Sequence, residues 1–180
     1  MVHFGASRES VSLHTGVWYT KNQHESFCTL STNLNHDPPG IMAHLRPVLN
    51  KVLEQNKKIT ILHFQSDGPT NQYRSKKMFA LLIRHVQKSY PNISTIVYNF
   101  SESGHGKGPV DGVGAITKRT ADAIVANGKD VDSFEKLAKV LKEKDMSVWY
   151  DIIKNTEFNY FEEQVPKKLV SFKGTMKVHQ

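Results

Sequence analysis

The chain has a single cysteine, Cys28, in 180 residues. That excludes an internal disulfide and any cysteine-rich zinc site. Cys28 sits in the apolar run SFCTL and reads as a buried structural thiol. No apolar run reaches the length of a membrane span. The opening residues, MVHFGASRES, lack the apolar core of a secretion signal, and no acid precedes Glu9. There is no internal repeat and no low-complexity tail. Charges of both signs are mixed, which excludes a disordered polyelectrolyte. A soluble intracellular protein with no membrane partner is expected.

What is present points to one folded domain, or one domain with a small extension. A hydrophobic fraction of 38% is enough for a core, and the net charge is +7 with a pI near 9.4. A basic balance favours anionic partners such as nucleic acid.

SVSLHTGVWYT and SFCTLST are rich in β-branched and aromatic residues and read as strands of a hairpin. NHDPPG is a turn signal. Ile41, Leu45, Val48, Leu49, Val52 and Leu53 recur at helical spacing, with Pro47 predicting a kink or a late start. KITILHF and ISTIVYNF are short apolar runs that suit buried strands. Between them lies a helical pattern with Phe79, Leu82, Ile83 and Val86 inward. VGAITKRTADAIVANG and SFEKLAKVLKEK read as helices, SVWYDII as a strand, and EFNYFEEQVPKKL as a short helix. Strands alternating with helices predict an α/β fold, a central mixed sheet flanked by helices.

A loop rich in glycine, SESGHGKGPVDGVGA, follows the second buried run. It fails as a phosphate loop, because Gly108 stands where a Ser or Thr must follow Lys107. It fails as a dinucleotide fingerprint, because Pro109 takes the place of the third glycine. Two acids remain. Asp67 lies just past KITILHF, and Asp111 opens the helix after the loop. Sites of open α/β sheets gather at the carboxyl ends of strands. Paired carboxylates there are hard oxygen ligands suited to Mg²⁺ and phosphoryl transfer. Plainer readings stand beside this one: Asp67 as a turn residue, Asp111 as a charge favouring a helix N-terminus. Glu102 is a rival third acid.

HFQSDGPTNQYRSKK, FSESGHGKGPVDGVGAITKRTAD and the closing FKGTMKVHQ together resemble a family of transposon-derived animal proteins. Their catalytic region is similar to the RNase H-like core of transposases and retroviral integrases. The resemblance implies that Asp67 ends the core's fourth strand and that Asp111 is its third acid. It implies Mg²⁺-dependent DNA cleavage and strand transfer, DNA as partner, and a nuclear location, with a homo-oligomer left open. The family's first acid belongs to a strand that nothing before MVHFG supplies. The expectation is therefore a truncated core spanning 1–128 that lacks its first strand, or keeps a remnant in VHF. An α/β extension at 129–180 follows, and nuclease activity is expected to be lost.

Lys107, Lys118, Arg119, Arg74 and Lys77 are the expected phosphate contacts, with a solvated basic face as the plain alternative. Gln72 and Tyr73 are expected to shape a pocket or join the core, and His105 to touch phosphate or stay idle. The nine histidines show no zinc spacing, so no zinc site is expected. Two other functions stay open: a non-catalytic module binding nucleic acid or protein, and a nucleotide-binding α/β enzyme.

Overall fold

The computed structural model describes residues 2–4, 9–67, 72–101, 108–126, 133–144 and 147–169. Their order is β1 (Val2–Phe4), β2 (Glu9–Tyr19), β3 (His24–Ser31), α1 (Pro38–Gln55), β4 (Ile61–Ser66), α2 (Lys76–Ser89), β5 (Thr95–Phe100), α3 (Pro109–Ala126), α4 (Phe134–Lys144), β6 (Val148–Ile152) and α5 (Asn155–Glu163).

β1, β2 and β3 pair antiparallel, and β6 joins β3 parallel, giving a mixed sheet in the order β1-β2-β3-β6. The expected hairpin is there, closed by the Thr20 N–H on the Gln23 carbonyl at 2.7 Å. VHF, the segment expected to hold at most a remnant, is β1. Side chains alternate cleanly across this sheet. Val11, Cys28, Leu30, Val148 and Tyr150 pack with α3 and α4. Phe27 packs with Val48 and Val52 of α1, flanked by Trp18 and Trp149. Cys28 is fully buried, and burial pushes its thiol up to about 12.

β4 and β5 pair parallel but form a separate two-stranded sheet. One central sheet was expected. The three rungs of β1 reach only Glu9–Val11, so among the described residues no strand lies beside β4 to join the sheets. Leu62, Phe64, Ile96 and Tyr98 pack inward against α1, α2 and α5, while Ile61 is 49% exposed.

α1 begins earlier than the spacing predicted. Asp37 caps it, Oδ1 accepting from the Gly40 N–H at 3.1 Å, and Pro38 and Pro39 fill the first turn, where no N–H is needed. Pro47 lies within the helix instead of starting it. In α2 the inward face is Met78, Leu81, Leu82, His85 and Val86, a register shifted from the expected one. Ser75 caps this helix through the Met78 N–H at 3.1 Å.

Gly16 faces Phe27 across β2 and β3, and a Cβ there would run into the Phe27 ring. That ring is held by α1, so it has little room to give way. Gly16→Ala should lower stability by about 1–3 kcal/mol, read from the urea midpoint. Combined with Phe27→Leu, the loss should be smaller than the two single losses added, because the clash disappears. Additive losses would show that the ring is not the obstacle.

Candidate functional site

The carboxyl ends of β4 and β5 are tied together. Both the N–H and the hydroxyl of Ser101 donate to the Ser66 carbonyl, at 2.9 and 3.2 Å. Asp67 follows directly and is exposed. The Tyr98 hydroxyl donates to Ser66 Oγ at 3.3 Å. Burial pushes the Tyr73 and Tyr98 phenols up, and the nearby Asp67 charge adds to both shifts. Arg74 is exposed and stands over the Phe100 ring, 5.6 Å from its centroid.

Asp111 lies in the first turn of α3, exposed, its Oδ2 accepting from the Gly108 N–H at 3.2 Å. This is the helix-terminus contact that the plainer reading described. Lys118 and Arg119 are exposed further along the same helix, and Arg119 Nε donates to the Ala115 carbonyl at 3.3 Å. α3 packs chiefly on β2, β3 and α4, so Asp111 and Asp67 are carried by different packing units. Among the described residues no three His, Cys, Asp or Glu side chains assemble a metal site. A Mg²⁺ ion on these two carboxylates would depend on phosphate and water for its remaining oxygens.

Lys77 is engaged within the protein. Its Nζ lies 3.5 Å from Asp37 and 3.7 Å from Glu162, linking α2 to the cap of α1 and to α5. Lys107, Glu102 and His105 lie outside the described residues, as do residues 68–71 of the SDGPTNQ block.

A second locus has no counterpart in the sequence reading except Gln72 and Tyr73. A cavity of about 70 Å³ opens between β2, α1 and the segment after β4, lined by Leu13, His14, His36, His44, Gln72 and Tyr73, among others. His44 Nδ1 lies 2.8 Å from Thr29 Oγ1, and His14 Nε2 lies 3.3 Å from the Tyr73 hydroxyl. The opposite ring nitrogens, His14 Nδ1 and His44 Nε2, are buried without a hydrogen-bond partner. Burial holds His14 down to about 4 and His44 to about 2, with neighbouring histidines adding to both shifts. Both rings are therefore neutral near pH 7. One sequence signal pointed here: His44 falls three residues after Ile41 and four before Val48, on the inward stripe of α1.

One family matches residues 1–180, described as a domain of unknown function (DUF8701). No curated protein and no solved structure matches the chain.

Proposed function

We propose that this chain, which belongs to this family along its whole length, is a DNA-binding module of transposase-type, RNase H-like descent that does not cut DNA by itself. One observation carries the reading. β4 and β5 are adjacent and parallel, Asp67 ends the first of them, and Asp111 opens the helix that follows the second. This is the placement that the resemblance to transposase and integrase cores implies for their second and third acids. The antiparallel β1-β2-β3 meander before α1 fits the same order.

Lys118 and Arg119 share the exposed side of α3 with Asp111, and Arg74 stands over the Phe100 ring at the end of β5. In this reading they meet DNA phosphates. Asp67 and Asp111 stand on different packing units, so in this reading each would engage Mg²⁺ only in company with phosphate oxygens, and two carboxylates hold paired ions poorly.

The expected result is sequence-independent binding that weakens steeply with salt, through counterion release. Lys118→Ala with Arg119→Ala should flatten the log–log salt slope by roughly one to two. An unchanged slope would remove α3 from the interface. Plasmid nicking in Mg²⁺ is expected to be absent. Nicking that vanishes in Asp67→Asn would instead establish an active nuclease. Saturable ATP or NAD binding without DNA binding would favour the nucleotide-enzyme alternative.

A further inference from the structure

We propose that the open edge of β5 is an interface with a second copy of this chain, the two β5 strands pairing antiparallel about a two-fold axis at Tyr98. The inference is independent of the DNA reading and uses an uncharged edge of the molecule.

Backbone bonding leaves this edge open. In a parallel pair each residue turns its N–H and C=O to one side, and successive residues alternate. The N–H groups of Thr95 and Ser101 donate to the Thr60 and Ser66 carbonyls, so the odd-numbered residues of β5 face β4. Ile96, Tyr98 and Phe100 therefore turn theirs outward, and among the described residues no strand receives them. An open edge is a template for another strand, and proteins usually blunt it with lysine, proline or a bulge. β5 has none of these. Its sequence TIVYNF holds no charge and no proline, its register with β4 is unbroken, and ILHFQS of β4 is uncharged too. This stands out in a chain with 23% charged residues. Every residue of β5 except Asn99 is β-branched or aromatic, the chemistry that favours strand pairing. Of the apolar side chains on β4 and β5 only Leu62 is buried, so a further strand has apolar surface to cover.

The occupant is a second copy because the strand matches itself. With the axis at Tyr98, that residue meets its own counterpart and Ile96 meets Phe100. These pairs exchange backbone hydrogen bonds and combine aromatic with β-branched side chains. Between them Val97 falls opposite Asn99, on the face turned away from α1 and α2, since neither belongs to the core there. All three outward residues are used, and no charge is buried. Arg74 sets the orientation. It stands over the Phe100 ring at the carboxyl end of β5. A parallel arrangement would bring two such cations side by side, whereas the antiparallel one places them at opposite ends. Each copy spends its one β5 edge, so the assembly closes at two. The outer edge of β4 is the weaker template: ILHFQS is half polar, and the segment after it reaches β2, where the Tyr73 hydroxyl meets His14.

The test is sedimentation of the whole chain across a concentration series, which should show monomer and dimer and no larger species. The edge is short, so the dimer should be weak, with a Kd on the order of 10 μM. Added salt should tighten it, by screening the repulsion between two chains of net charge +7, whereas salt weakens DNA binding. Val97→Lys with Asn99→Lys sets like charges opposite one another and should weaken the dimer by about tenfold or more. Val97→Lys with Asn99→Glu sets opposite charges at the same places and should restore it. Both double variants alter the same two outward positions, and matching urea midpoints in dilute solution would show that the monomers fold alike. A chain that stays monomeric well above the expected Kd overturns the proposal, as does growth into larger oligomers. So does a dimer indifferent to the two lysines, or one that the Lys–Glu combination fails to restore.

Discussion

Residues 1–128 alone should show no cooperative unfolding transition, while the whole chain should show one. Cutting there removes Phe134, Leu137, Leu141, Val148 and Tyr150 from the core beneath α3. It also removes Ile153, Phe158 and Phe161 from the core around α1 and α2. Each such side chain contributes about 1.5–3 kcal/mol when buried. Their joint loss matches or exceeds the 5–15 kcal/mol that typically holds a domain together. β6 goes too, which strips β3 of its parallel neighbour. Circular dichroism against temperature on both chains is the measurement. A sharp transition in the short one would mean that residues after 128 are an accessory layer. The single change Phe161→Ala is the finer probe. This ring is 1% exposed and meets His85 edge-on at 5.2 Å between centroids. Its loss should take about 3–5 kcal/mol.

Acid should destabilise the protein well before its carboxylates titrate. His14 and His44 have folded-state values near 4 and 2, below the ordinary 6.5. Above pH 6.5 the folded and unfolded chains are both neutral at these positions, so nothing is lost there. Below it the unfolded chain takes up protons that the folded chain refuses. Stability then falls by about 1.4 kcal/mol per pH unit for each histidine. Between pH 7 and pH 5 the pair should remove roughly 3–4 kcal/mol. His85, also held down to about 4 by burial with Arg46 and Lys88 nearby, acts in the same direction. Asp and Glu of the unfolded chain remain largely ionised in this window, which isolates the histidines. Urea melts at steps of pH give the slope, and His44→Gln should reduce it by about one proton. A flat profile from pH 7 to pH 5 would show that these rings are solvated in the folded state.

Much of the fold was legible because its signals are local. The hairpin of β2 and β3, the buried runs of β4 and β5 and the stripes of α1, α3 and α4 follow from period and turn chemistry alone. The burial of Cys28 followed from its apolar surroundings. The positions of Asp67 after a strand and of Asp111 at a helix start were fixed as soon as those elements were. Element edges were less legible. Asp37 reads as part of a turn until Pro38 and Pro39 are seen to be helical, and Ser75 as a residue within the helix until it proves to be its cap, accepting from the Met78 N–H.

Tertiary structure decided what those elements do to one another. Period places a residue on a face but does not say which face meets which neighbour. Whether β4 joins β2 or stands apart with β5 depends on a strand lying between them, and pairing is a long-range choice. α3 could cover either sheet by its sequence, and its packing on β2 and β3 sets where Asp111 stands. Lys77 reads as a free cation until Asp37 and Glu162 close around it. His14 and His44 are thirty residues apart by number, one on a strand and one on a helix. Only the stacking of α1 on the sheet brings their rings together, buries them and leaves two nitrogens unpaired, because burial is a property of the packed layers and not of any segment.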